Sequence, residues 1–131
     1  MLKLQIVTNN PEVEVLHGTS DRLLISYYDE DLLSILKRVR DLVHAHHRLL
    51  THPLSGSVKP NETPYKSVAL YADPHDQIDM PSLRIIEAAL RLTEVLLQGR
   101  PLPAWNASVL QDFALIDASL LKSGLDSVSH F

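Results

Sequence analysis

Cysteine is absent from the 131-residue chain, which excludes disulfide stapling, thiolate metal ligation and cysteine nucleophilic catalysis, and leaves the redox compartment unreadable from cysteine usage. A basic balance is also missing. The formal net charge is −4, whereas a dedicated nucleic-acid binder carries an excess of Lys and Arg; only a local basic patch stays open. No apolar run approaches the roughly 20 residues needed to cross a bilayer, and the apolar stretch within the first ten residues is too short for a signal-peptide core. The expectation is a cytoplasmic protein with neither a membrane nor a nucleic-acid partner. Internal repeats and linker-like segments are lacking too, so a single α/β domain is expected over 1–131, with 125–131 as a frayed tail.

What is present is an ordinary globular composition, 45% hydrophobic and 21% charged, in a chain long enough to bury roughly two thirds of its unfolded surface. Leu2, Leu4, Ile6 and Val7 form a β-type run that stops at the polar turn Thr8-Asn9-Asn10-Pro11. Val13 and Val15 alternate with Glu12 and Glu14, the period of a short strand over 12–16, and a second β-type run covers 23–28. From Leu32 the apolar residues recur at three- and four-residue steps through Ile35, Leu36, Val39, Leu42, Val43, His46, Leu49 and Leu50, predicting a helix that ends near Thr51 because Pro53 disfavours helical His52. Val68, Ala69, Leu70 and Tyr71 read as a strand buried on both faces. Asp79-Met80-Pro81 starts a helix that runs to Gly99, and Asn106 caps a last helix that stops at Gly124. The fold class expected is α/β, a small mostly parallel sheet of three to four strands packed with about three helices, its connection through the first helix right-handed.

The long connection 52–66 is the first place to look for a site, because a compact domain seldom keeps so long a loop without a use. Pro53, Pro60 and Pro64 stiffen it. Ser55, Gly56 and Ser57 can turn successive N–H groups toward one point, with Lys59 or Lys66 adding positive charge, so a carboxylate or phosphate is the natural guest. The glycine and lysine spacing is not that of a P-loop, and no cofactor is expected. Asn61, Glu62, Thr63 and Tyr65 complete the polar set, and Thr8, Asn9 and Asn10, beyond the end of the first strand, are its expected second wall. The bland alternatives are an ordered loop that covers the sheet edge and a capped turn leading into Pro11. His44 and His47 share a helix face and could hold zinc only if His52 folded back; the glutamate of the HExxH pattern is missing, so no metal is favoured. Asn106-Ala107-Ser108 matches a glycosylation acceptor formally, and helix capping is the better reading.

The strings IVTNNP near the start and HRLLTHPLSGSVKPNETPYKS through the connection resemble the GrdX family, small proteins encoded alongside components of glycine, sarcosine or betaine reductase in amino-acid-fermenting bacteria. The resemblance runs from Leu4 to about Tyr71, and beyond that in length and helix pattern. It implies a cytoplasmic protein associated with that system, with a reductase component as partner, and it transfers no catalytic residue. Reductase chemistry through selenol and thiol groups cannot pass through a chain without cysteine. Three readings follow: an accessory protein binding a small carboxylate or phosphate; a small hydrolase or transferase using His52 with Glu62 or Ser55; and a docking factor for a reductase component, which requires an exposed apolar patch on the second or third predicted helix. Homo-oligomerisation is compatible with all three.

Overall fold

The structure is a computed structural model and describes residues 3–54 and 58–127. Its elements, in chain order, are β1 (Leu4–Thr8), α1 (Pro11–His17), β2 (Leu23–Tyr27), α2 (Leu32–His44), β3 (Ser67–Tyr71), α3 (Met80–Gly99) and α4 (Ala107–Asp126). The three strands form one sheet in the order β2-β1-β3. β1 runs parallel to β2, with Leu4 beside Leu23, and antiparallel to β3, with Thr8 beside Ser67.

The expected mostly parallel sheet is therefore mixed, and four helices replace about three. The sheet differs because α2 ends at His44 rather than near Thr51. His46 takes a positive φ of 78°, a conformation that cannot continue a right-handed helix. Beyond it, Leu49 bridges antiparallel to Leu70, while the Leu50 and Thr51 amides donate to the Ala69 carbonyl at 2.9 and 3.2 Å. The chain thus descends in α2, climbs again beside β3, and crosses the end of the sheet before it enters β3. That strand can only run down. The right-handed rule applies to parallel crossovers, so it does not govern the connection through α2.

The fourth helix is α1, where the alternation at 12–16 suggested a strand. Asn10 accepts the Glu12 amide at 3.0 Å as N-cap, Pro11 takes the first turn and Glu12 and Glu14 follow it. These start signals outweigh a two-residue period over five positions. One apolar residue of the pair then goes inside, Val13, and Val15 stays 78% exposed.

Alternation along the strands sorts the core into two layers. Val7, Val68 and Leu70 face Leu32, Ile35, Leu36, Val39 and Val43 of α2 and Ile86 and Leu90 of α3. Leu4, Ile6, Leu23 and Ala69 face Val13 of α1 and Ala118, Leu121 and Leu125 of α4. β3 is buried from Ser67 to Leu70, as a strand covered on both faces requires. α3 starts at the expected Asp79 cap, whose carboxylate accepts the Ser82 amide at 3.1 Å. α4 starts at Asn106 and does not stop at Gly124 but runs on to Asp126. Gly124 serves packing instead, since a Cβ there would lie 3.0 Å from Thr51 Cγ2. Leu125 is buried inside α4, and 128–131 of the expected tail lie outside the described residues.

Candidate functional site

The carboxyl end of β1 meets the start of β3 and the middle of α4 in a buried polar network. Asp117, 6% exposed, reaches in from α4. Its Oδ1 accepts the Ser67 amide at 3.1 Å, and its Oδ2 accepts the Ser67 hydroxyl at 2.7 Å and the Asn10 Nδ2 at 3.0 Å. Because the Ser67 proton goes to the carboxylate, Thr8 must donate in the 2.7 Å contact between the two hydroxyls. The Thr8 oxygen in turn accepts the Asn10 amide at 2.9 Å. The hydrogen bonds thus run in one direction, from the Asn10 backbone through Thr8 and Ser67 to Asp117, an ordering that strengthens each member.

Thr8, Asn9 and Asn10 occupy the expected place at the strand end, but their polar groups are committed within the chain. Asn9 donates to the Glu30 and Pro64 carbonyls at 2.9 and 2.8 Å and accepts the Lys66 amide at 2.9 Å. It is a strut that ties the connection 52–66 to β1. Asn10 caps α1 and donates its second amide proton to the Ala114 carbonyl at 2.8 Å. Within the connection, Asn61 reaches the Leu96 and Arg100 carbonyls at 3.4 and 3.3 Å, closing the end of α3. The Glu62 carbonyl accepts the Trp105 indole N–H at 2.7 Å. Thr63 folds onto the Tyr65 backbone, and Lys59 is exposed. Ser55, Gly56 and Ser57 lie outside the described residues.

What the fold does bring together is a cleft of about 190 Å³ on which Thr51, His52, Lys66, Ser67 and Asp117 converge, floored by Leu120, Leu121 and Gly124 of α4. Lys66 is the unusual member. The residue is 6% exposed, and no group among the described residues receives its ammonium in a hydrogen bond or ion pair. Burial pushes its pKa below the ordinary lysine value, and the Asp117 carboxylate opposes that shift without cancelling it. Around it stand two further donors. Thr51 Oγ1 accepts the Ala69 amide at 3.0 Å and keeps its own proton to give. His52 Nδ1 accepts the Leu54 amide at 3.0 Å, so a neutral ring carries its proton on Nε2.

A family model described as GrdX-like protein matches residues 5–126. The chain belongs to the GrdX-like family. The match covers almost the whole chain, α3 and α4 included, and so extends the resemblance well past Tyr71. No curated protein and no solved structure matches it.

In this GrdX-like chain the three histidines considered for zinc are apart in their bonding. His44 faces Glu87 at 3.7 Å, His47 Nδ1 lies 3.0 Å from the Tyr71 carbonyl, and His52 holds Leu54. Among the described residues no three His, Asp or Glu side chains gather where a metal could sit. Glu62 is not among the residues lining the cleft that His52 lines. The residues missed by sequence reasoning are Thr51, Ser67 and Asp117. A signal for Asp117 existed: it stands four residues after Phe113 and four before Leu121, a carboxylate on the apolar stripe of its helix. No local signal marks Ser67.

Two outcomes test this geometry. Asp117→Ala leaves the Ser67 amide, the Ser67 hydroxyl and the Asn10 Nδ2 without their acceptor, and should cost about 2–4 kcal/mol of stability in urea denaturation; a loss under half that would show the network to be dispensable. For Lys66, the folded pKa lies below the unfolded 10.5, so the unfolded chain binds more protons between those values and stability rises with pH there. Lys66→Met should therefore be more stable than the parent at neutral pH, with the gap closing as pH approaches 10.5. A pH-independent gap would contradict the burial of a charged Lys66.

Proposed function

We propose that the chain is a small-anion-binding accessory protein of the glycine reductase system, with Lys66 as the residue that holds the anion. The observation that carries this reading is a buried lysine lining a cleft with no partner for its ammonium among the described residues. A desolvated cation is costly, and a bound carboxylate or phosphate offsets that cost directly. Thr51 and His52 add the further donors that orient such a guest. The cleft, at about 190 Å³, is below the ~300 Å³ at which sites for drug-sized ligands begin. The class is thus a small carboxylate, phosphate or acyl phosphate. The family assignment supports the association with glycine reductase.

A second reading, docking to a reductase component, is favoured by one feature of α3. Leu92 and Val95 are 49% and 58% exposed, and Leu92 joins Leu54, Ile85 and Ala88 along an apolar groove that also touches Arg84.

Thermal-shift measurements and titration calorimetry with acetate, glycine, phosphate and acetyl phosphate should find at least one that raises Tm in the parent and not in Lys66→Met. Its affinity should decline as pH rises through the lowered Lys66 pKa. Absence of any stabilising anion, or equal binding by the variant, refutes the anion site. Docking predicts instead that co-purification with a reductase component survives Lys66→Met and fails in Leu92→Lys; capture unaffected by Leu92→Lys removes that reading.

A further inference from the structure

The two edges of the sheet are treated differently by the chain. The outer edge of β3 is closed by its own sequence: Leu49 bridges Leu70, the Leu50 and Thr51 amides bond the Ala69 carbonyl, the Tyr71 amide bonds the Arg48 carbonyl at 2.9 Å, and the Ala69 amide finds Thr51 Oγ1 at 3.0 Å. The outer edge of β2 has no such cover among the described residues. Its bonds to β1 include the Arg22 carbonyl, which accepts the Leu4 amide, and the Tyr28 amide, which donates to the Thr8 carbonyl. The even-numbered residues therefore face β1. The N–H and C=O groups of Leu23, Ile25 and Tyr27 point outward, and none has a backbone partner among the described residues.

Bare edges are normally blunted by lysine, proline or a bulge. β2 reads Leu-Leu-Ile-Ser-Tyr, with none of these, and it pairs with β1 in unbroken register. Exposed apolar side chains stand on it and beside it: Leu24 is 50% exposed, and on the neighbouring α1 Val15 and Leu16 are 78% and 57% exposed. On the Leu24 face, α2 leaves a groove of about 220 Å³ walled by Gln5, Ser26, Arg38, Asp41 and Leu42.

We propose that this edge pairs antiparallel with the β2 edge of a second copy of the chain, giving a two-fold dimer with one continuous six-stranded sheet. The partner must be an extended strand, because a row of backbone donors and acceptors is what stands unpaired. A second copy fits for two reasons. First, a two-fold axis at Leu24 sets Leu23 opposite Ile25 of the other copy in hydrogen-bonded pairs and packs Leu24 against its own counterpart. It also sets Asp21 and Arg22 opposite Tyr27 and Ser26 of the other copy, so no like charges face each other. Second, among the described residues each chain has one open edge, the other being closed by 48–51. Pairing two open edges leaves none, so the assembly stops at a dimer instead of growing into a filament.

Sedimentation velocity and light scattering on the full chain, from low to high micromolar, should show a dimer whose population rises with concentration. Hydrogen exchange should show the Leu23, Ile25 and Tyr27 amides protected in concentrated samples and released on dilution. Leu24→Lys brings two lysines face to face on an exposed position and should abolish the dimer while circular dichroism stays that of the parent. A monomer at every concentration, a dimer that persists in Leu24→Lys, or outward amides that exchange equally at both concentrations would overturn the proposal. Should Leu24→Lys fail to fold, the exchange experiment on the parent chain decides alone.

Discussion

The Asp117 carboxylate is where the two ends of this chain are joined. It lies inside the protein on α4 and takes three hydrogen bonds from groups on β3 and the β1–α1 turn. A carboxylate is stable there only because those donors replace its water, and each donor would be left unsatisfied in its absence. The same three bonds fix where α4 lies against the sheet, how α1 begins, and at what height β3 starts. Lys66, one residue before that start, is then held by its backbone on Asn9. Its side chain lines the cleft beside α4.

The connection 52–66 plays a different part from the one its composition suggests. Its polarity is mostly spent inward: Asn61 on the end of α3, the Glu62 carbonyl on Trp105, Thr63 on Tyr65, and the Pro64 carbonyl on Asn9. Pro53 and Pro60 are buried. Much of the loop is therefore a brace between the C-terminal end of α3, the 100–106 segment and the top of β1. The cleft forms at the loop's two ends, where His52 leaves the sheet edge and Lys66 returns to it, against α4, which begins only at Ala107. The cleft and the scaffold are made by the same segment, at different residues.

The sheet shows the same economy. A chain that runs α2 down and then 48–51 up beside β3 covers one edge with its own backbone, and that upward run is what reverses β3. One event thus sets both the mixed topology and the asymmetry between a closed edge and an open one. β2, left at the far side, has no later segment among the described residues to cover it.

The elements themselves were largely legible in the sequence, because helix and strand signals are local. Asn106 and Asp79 cap the helices expected of them, the stripe from Leu32 to Val43 is buried, and 68–71 is a strand covered on both faces. The misreadings lie where two local signals competed or a distant contact won. Asn10 and Pro11 overrode the alternation at 12–16; a positive φ at His46 ended α2 early; Gly124 answered to Thr51 rather than to its own helix. The candidate site was legible only in Lys66 and His52. Whether an amide is free to bind a ligand depends on what stands opposite it, and for Asn9, Asn10 and Asn61 those partners are at sequence distances that no pattern encodes. Composition and periodicity by themselves determined an α/β chain with a lysine-bearing polar connection. Tertiary structure alone decided that β3 runs antiparallel, that Asp117 gathers the strand ends, and that Lys66 is buried without a partner among the described residues, because each of these is a relation between surfaces that meet only once the chain has folded.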